Sequence, residues 1–273
     1  MTLSVILIVK NEAERLPRCL ASVRGIADEI VVLDSGSTDA TLEIARRYTD
    51  QVYSSPNWPG FGPQKNRVLD YATGDWVLSL DADEWLTPEL AAEIQAVLQA
   101  PKADVYEIPR LSSFCGRPMR HSGWWPDHVA RLFKRGAARF SEDLVHERLV
   151  PFAPLALRER GRGRGTGGEG PSASASALGR LHNPIHHETY RNLDEMLVKL
   201  NRYSTDGAQN HLNVGKRGGL GKAIGRGLWA FVRTYFIRAG FLDGREGFLL
   251  AVANAETTYY RYLKLMYLAE GKP

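Results

Sequence analysis

The stretch Asp75-Trp-Val-Leu-Ser-Leu-Asp81-Ala-Asp83-Glu84 decides how this chain folds. An apolar run stops abruptly at three acids, which predicts a buried strand delivering carboxylates to its C-terminal edge, where ligands of open α/β sheets sit. Hard oxygen donors gathered there suit Mg²⁺ or Mn²⁺ bridging a diphosphate, because carboxylates select such cations and phosphate oxygens complete the coordination. Side chains alternate where a strand runs out, so Asp81 and Asp83 can divide their work. One holds the metal while the other reaches a ribose hydroxyl or a second metal position. The plainer alternative is a strand followed by an acidic helix start, with Thr87 as N-cap and Pro88 at the first helical position.

The preceding residues favour the first reading. Leu3-Ser-Val-Ile-Leu-Ile-Val9 is nearly all apolar and mostly branched, as expected of a strand buried on both faces. It stops at Lys10-Asn11-Glu12, and Leu16, Leu20 and Val23 follow at helical spacing. A second strand, Glu29-Ile-Val-Val-Leu33, runs into Asp34-Ser-Gly-Ser-Thr-Asp39, whose last residues cap a helix through Ala45. A short strand at Gln51 to Tyr53 precedes Gly62-Pro-Gln-Lys-Asn-Arg67, which opens another helix. Strands alternating with helices at this pace predict a parallel sheet with right-handed crossovers. Three strand ends, at Glu12, Asp34 and Asp81/Asp83, thus place acids along one edge. No Gly-x-Gly-x-x-Gly opens the first helix, which argues against a dinucleotide site.

Ser4-Val-Ile-Leu-Ile-Val-Lys-Asn-Glu12, Val31-Val-Leu-Asp-Ser-Gly-Ser-Thr-Asp-Ala-Thr41 and Asp75 to Glu84 resemble the successive motifs of family 2 glycosyltransferases of GT-A fold. Gln64-Lys-Asn66 and Val145-His-Glu147 are similar to one branch, the WaaE-like lipopolysaccharide core β-1,4-glucosyltransferases, as are Lys199-Leu-Asn-Arg-Tyr203 and Tyr235 to Gly244. The resemblance implies a Rossmann-like, mostly parallel central sheet with flanking helices over residues 1–155. It implies a divalent cation, Mg²⁺ or Mn²⁺, and a nucleoside-diphosphate sugar donor, UDP-glucose in that branch. By the same resemblance Asp34 hydrogen-bonds the nucleobase and Glu12 lies near base or ribose. Asp81 binds the ribose or sugar side, with the option of a second metal position, Asp83 is the principal metal ligand, and Lys65 contacts phosphate or sugar. Asp34 and Asp39 could instead serve turn and cap amides, and Lys65 could be a solvated helix-face lysine.

Inverting sugar transfer is one displacement at the anomeric carbon, in which a carboxylate deprotonates the attacking hydroxyl as the leaving group departs from the opposite face. The base must lie beyond the Asp-x-Asp. Candidates occur in Trp124-Trp125-Pro-Asp127-His128 and Ser141-Glu142-Asp143-Leu-Val-His146-Glu147. Glu147 is favoured by the resemblance, with Asp127 second. The alternative for Glu147 is an ion pair with Arg148 or Arg131. Trp124 and Trp125 form a sugar platform or plug a core. His182 or His186 could add a third ligand to the cation, but zinc lacks its Cys/His spacing here.

The chain has 273 residues, enough for a catalytic domain and an appendage. Two cysteines, Cys19 and Cys115, give no disulfide framework and suggest a reducing compartment. The N-terminus does not read as a signal peptide, and no apolar run reaches the roughly eighteen residues of a spanning helix. Net charge is +4, unevenly placed: from Lys216 to Arg245 seven Lys and Arg stand against the single acid Asp243, with Trp229, Phe231, Tyr235, Phe236 and Phe241 among them. This predicts a basic, aromatic helical extension over residues 182–273 lying at a membrane surface, or a helical hairpin on the catalytic domain. Nucleic acid is a weaker use for it, because no nucleic-acid motif accompanies it. Residues 156–181, rich in Gly, Arg, Ser and Ala, read as a flexible loop.

The expectation is therefore an inverting, metal-dependent transferase at the cytoplasmic face of an inner membrane, acting on a lipopolysaccharide inner-core heptose or similar lipid-anchored saccharide. A catalytically inactive scaffold and a sugar nucleotidyltransferase are the alternatives. The latter usually carries a Gly-rich, Arg-containing loop after its first strand, where this chain has Lys10-Asn11-Glu12.

Overall fold

A computed structural model describes residues 1–142, 148–152 and 178–271. The chain divides into two compact units that interleave along the sequence, Met1–Arg110 with His128–His186 and Leu111–Asp127 with His187–Pro273. The sequence reading, by contrast, divides the chain linearly.

The first unit alternates strands and helices: β1 (Leu3–Val9), α1 (Leu16–Val23), β2 (Glu29–Asp34), α2 (Thr41–Arg46), β3 (Val52–Ser54), α3 (Phe61–Leu69), β4 (Trp76–Leu80), the two-residue β5 (Glu84–Trp85) and α4 (Pro88–Gln99). β6 (Val105–Phe114) runs out of this unit, and β7 (Arg117–Pro118) belongs to the second. β8 (Asp127–Lys134), β9 (Ala138–Phe140), β10 (Leu149–Pro151), β11 (Leu178–Arg180) and β12 (Ile185–Tyr190) follow. Strand order is β3-β2-β1-β4-β8-β6-β12-β5, with β11 beside β6. β1 pairs parallel with β2 and β4, and β2 with β3, whereas β8 returns antiparallel to β4. The result is the expected mixed, mostly parallel α/β sheet. Most of the Gly/Arg/Ser/Ala-rich stretch lies outside the described residues, and its end, Leu178–Arg180, is the strand β11.

Period-two alternation sorts β1 between two cores. Leu3, Val5, Leu7 and Val9 join Leu16, Leu20 and Val23 of α1 and Leu90 and Ile94 of α4. Ile6 points the other way, with Val31, Leu33, Val68, Val77 and Phe133. Burial on both faces is why these strands read as unbroken apolar runs. α4 starts where the sequence places it, for the Thr87 hydroxyl accepts from the Leu90 N–H at 3.2 Å, so the acidic strand end and the capped helix coexist.

The second unit is mainly helical, with α5 (Leu193–Asn213), α6 (Leu220–Val232), a π-helical turn at Arg233–Ile237, a 3₁₀ turn at Gly240–Asp243 and α7 (Gly244–Ala269). Asn192 caps α5, accepting from the Glu195 N–H at 2.9 Å. α5 continues ten residues past Tyr203, where Ser204, Thr205 and Gly207 blunt the helical signal. Gly207 lets the Arg261 side chain of α7 lie close, since a Cβ would stand 2.6 Å from its Nε. The loop 120–123 is fixed by the Asp243 carboxylate, which is 3% exposed. It accepts from the N–H groups of Arg120 (3.1 Å) and His121 (3.0 Å) and from the Ser122 hydroxyl (3.0 Å). Ser122 and Gly123 take the left-handed conformation there, at φ 60° and 82°.

Replacing Asp243 by Ala orphans those donors and is expected to lower stability by about 3 kcal/mol. Asp243→Asn, which keeps one acceptor oxygen, should recover part of the loss. Urea midpoints of the two variants check this, and equal midpoints would refute the clamp.

Candidate active site

The registers Val9↔Asp34 and Leu7↔Leu80 bring the C-terminal ends of β1, β2 and β4 to one edge. Glu12, Asp34, Asp81 and Asp83 all leave the sheet there, as the strand pattern predicts. The first two loops are stitched together. Asn11, left-handed at φ 55°, donates its N–H to Ser37 Oγ at 2.9 Å and accepts from the Thr38 N–H at 2.8 Å. The Glu12 N–H donates to Thr41 Oγ1 at 2.8 Å, while the Glu12 carboxylate lies 3.6 Å from Arg15.

Asp34 is 1% exposed and accepts from the N–H groups of Gly36 (2.9 Å) and Ser37 (3.1 Å), so it does hold the turn. Gly36 has φ 89°, where a side chain would be strained. Asp39 serves the cap: it accepts from the N–H groups of Thr41 and Ala13, and the Thr41 hydroxyl beside it holds its carboxyl below the usual range.

Three consecutive residues of α3 each make a different connection. Gln64 donates to Ser35 Oγ (2.9 Å) and to the Ser55 carbonyl (3.1 Å), joining the loops after β2 and β3. Asn66 exchanges two hydrogen bonds with the Phe140 backbone and so completes β9. Between them Lys65, only 3% exposed, reaches Asp81 with Nζ 2.9 Å from Oδ1. Lys65 is thus not a solvated helix-face lysine.

Arg131 of β8 takes the other Asp81 oxygen and also donates to Glu84 at 2.6 Å. Glu84 is fully buried and accepts the Asp81 N–H at 3.1 Å, with Arg110 at 3.9 Å. Burial alone would raise the Asp81 carboxyl, but the cations of Arg131 and Lys65 outweigh it and hold the group far below the ordinary carboxylate range. Burial also works against charge on Arg131, and Asp81 with Glu84 reverses that, so the guanidinium stays charged. Glu84 and Arg131 form an anchor that the sequence reading misses, since it leaves Glu84 without a role and offers Arg131 only as a partner for Glu147. The available signal is Arg131 itself, a charge set among Val129, Ala130, Leu132 and Phe133 in a strand, because a buried charge needs a counter-ion.

The same edge suits a cation. The thiol of Cys19 is buried with Sγ 3.6 Å from the Asp81 carbonyl oxygen. Burial pushes that thiol up, and the negative field of Glu84, Asp83, Asp81 and Glu12 adds to the shift. Such a field and hard carboxylate oxygens fit Mg²⁺ or Mn²⁺. Among the described residues no three His, Cys, Asp or Glu side chains form a ready-made metal cage. Mg²⁺ commonly takes one or two carboxylates and completes its shell with phosphates.

His186 stacks on Trp85, ring centroids 5.3 Å apart, and the Arg18 guanidinium lies over the Trp85 ring at 3.4 Å. The His182 N–H is held by Glu93 of α4. Trp124, Trp125 and Asp127 belong to the second unit. Trp124 packs with Phe114 and Tyr190 in a core, and Arg120 lies over Trp125 at 5.7 Å. Glu147 lies outside the described residues, together with Val145 and His146.

The family model described as Glycosyl transferase family 2 matches residues 4–154. An uncharacterized glycosyltransferase of Rickettsia prowazekii is 27% identical over 269 residues, 96% of this chain and 86% of its own length. The lipopolysaccharide core biosynthesis glycosyltransferase LpsC of Rhizobium meliloti is 29% identical over 276 residues, covering 97% and 92% of the two chains. Among solved structures, glucosyl-3-phosphoglycerate synthase from Mycobacterium tuberculosis, in complex with Mg²⁺ and UDP, is 27% identical with a TM-score of 0.35. That match covers 41% of this chain and 43% of the other, so the chain spans less than half of that structure. TarS of S. aureus matches over 100% of this chain and 92% of its own, at 16% identity and a TM-score of 0.47. With more than half of its length matched by the family model, and with acids from three strand ends on one sheet edge, the chain belongs to glycosyltransferase family 2, whose members transfer sugars with inversion.

Proposed function

We propose that this glycosyltransferase moves glucose from UDP-glucose to a heptose of the lipopolysaccharide inner core, or to a similar lipid-anchored saccharide, at the cytoplasmic face of a bacterial inner membrane. The observation that carries the donor side is the Asp81 carboxylate fixed between Lys65 and Arg131, two residues before Asp83, at the edge that also receives Asp34 and Glu12. The acceptor side is supported by the full-length likeness to LpsC, whose name places it in lipopolysaccharide core biosynthesis.

In this reading Asp34 accepts from the nucleobase with the lone pairs that Gly36 and Ser37 leave over. Glu12 borders base or ribose. Asp81, fixed by its two cations, accepts from a sugar or ribose hydroxyl, and Lys65 beside it neutralises phosphate charge. Asp83, and with it Asp81, would hold the divalent cation, which when bound stabilises charge on the departing diphosphate. A second acid, Glu147 or alternatively Asp127, takes the proton of the attacking hydroxyl; general-base assistance of this kind is worth about 10²–10⁴ in rate.

Calorimetric titration with UDP and UDP-glucose, with and without Mn²⁺, tests the donor assignment. Metal-dependent UDP binding is expected; no binding to UDP, with none to ADP or GDP either, would favour the inactive-scaffold alternative. Asp83→Asn should abolish the metal-dependent part of that binding while leaving the thermal transition in place. Glu147→Gln should bind UDP as the parent does and lose transfer by about 10²-fold or more. Full transfer in Glu147→Gln would move the base to Asp127. Arg131→Met leaves the buried Glu84 with only the more distant Arg110 as counter-ion, so a stability loss of about 3 kcal/mol is expected in urea unfolding. Combining it with Glu84→Gln should return much of that, and a double variant as unstable as Arg131→Met would sink the anchor.

A further inference from the structure

Within the second unit, α6 is packed the wrong way round for a helix in water. The side it buries carries small residues, Ala223, Gly227 and Ala230, continued by Thr234 of the π turn. This stripe lets α7 approach closely, since a Cβ on Gly227 would meet the Ala255 carbonyl and Tyr259 at 3.3 Å. The large apolar residues face outward. Ile224, Leu228, Val232 and Phe236 recur every four residues and are 47%, 64%, 38% and 58% exposed. Surface helices of globular proteins show the reverse arrangement, with the broad apolar stripe inward. Ile237 (62%) and Leu242 (55%) extend the exposed area beyond the helix.

One flank of this ridge is basic. Lys222, Arg226 and Arg233 line up beside Trp229, which is 52% exposed, and a shallow groove of about 500 Å³ opens between Lys222, Arg226, Trp229 and the glycines 221 and 225. Arg238 and Arg245 are also exposed, whereas the only acid between residues 216 and 245, Asp243, is buried against the loop at 120–122. An apolar ridge bordered by Lys, Arg and Trp is the composition of a helix that lies in a lipid interface. A second copy paired antiparallel across a two-fold axis would set the basic flank against itself, whereas anionic lipid complements that charge. Crossing the bilayer is not the arrangement either, for no helix among the described residues is long and apolar enough.

We propose that this face of α6 and the turns after it docks in the headgroup region of an anionic bilayer. Ile224, Leu228, Val232 and Phe236 enter the acyl boundary, Trp229 sits at headgroup depth, and the arginines meet lipid phosphates. The proposal deepens the acceptor side of the proposed function, since a lipid-anchored acceptor requires the enzyme at its membrane. Its test reads lipid binding and not sugar transfer, so either reading can fail alone.

The experiment is co-sedimentation of the full chain with phosphatidylcholine vesicles, with and without about one phosphatidylglycerol in three lipids, followed by tryptophan fluorescence. Binding to the anionic vesicles with a blue shift is expected, and Trp229→Phe should remove most of that shift. Leu228→Asn with Phe236→Asn should weaken partitioning by about tenfold or more, given the apolar area withdrawn from the lipid. Both positions are exposed, so the thermal transition should not move. Three results would overturn the proposal: no vesicle binding, binding without a Trp229-dependent shift, or a concentration-dependent dimer that the double substitution dissolves.

Discussion

One guanidinium holds the strand ends in place. Arg131 bridges Asp81 and the fully buried Glu84, and Lys65 covers the remaining oxygen of Asp81. Two acids and two cations thereby balance, with Glu84, Lys65 and Arg131 buried and Asp81 half-buried at the sheet edge, and such pairing is the condition under which buried charge is tolerated. The arrangement ties four segments: the end of β4, the start of β5, α3 through Lys65, and β8 through Arg131. β8 is the strand that runs antiparallel to β4, so Arg131 can reach back to the place where β4 ends.

This constraint separates the acids of one short motif. Glu84 is spent on structure. Asp81 is fixed in position and kept ionised by the same contacts. Asp83 stands in the field that these carboxylates create, a field strong enough to act on the Cys19 thiol across the backbone of Asp81. Three acids within four residues therefore have different surroundings: Glu84 is fully buried, while Asp81 and Asp83 are half-buried and Asp81 is held by Lys65 and Arg131.

What could be read from the residues follows the same logic. β1, β2 and β4 are apolar runs closed by acids, and α1 between the first two carries the helical period, so the parallel half of the sheet and its ligand edge were legible. β6 contains Pro109 and β12 begins Ile-His-His-Glu, so neither shows the apolar run of a buried strand. Their pairing depends on contacts between distant segments. Lys65 and Asp81 were both recognisable, but their contact was not, because helix-to-strand distances do not appear in spacing. The interleaving of the two units was equally hidden: Leu111–Asp127 carries no compositional break to mark that it packs with residues after 187. α5 runs on through Ser204 and Thr205, which accept from Lys264 of α7, and Gly207, which faces Arg261 of α7, contacts that exist only in the folded chain.

That interleaving has a consequence for the order in which the molecule can form during synthesis. Translation proceeds from the N-terminus, and domains tend to fold as they emerge. Here β5 and β6 are made early, yet the strand that lies between them, β12, is about seventy residues further on, behind the Gly/Arg/Ser/Ala-rich stretch. The nascent chain must therefore hold β5 and β6 with open edges until β12 leaves the ribosome, and open edges invite pairing with other chains. The loop at 120–123 waits longer still, since Asp243 arrives more than a hundred residues after it.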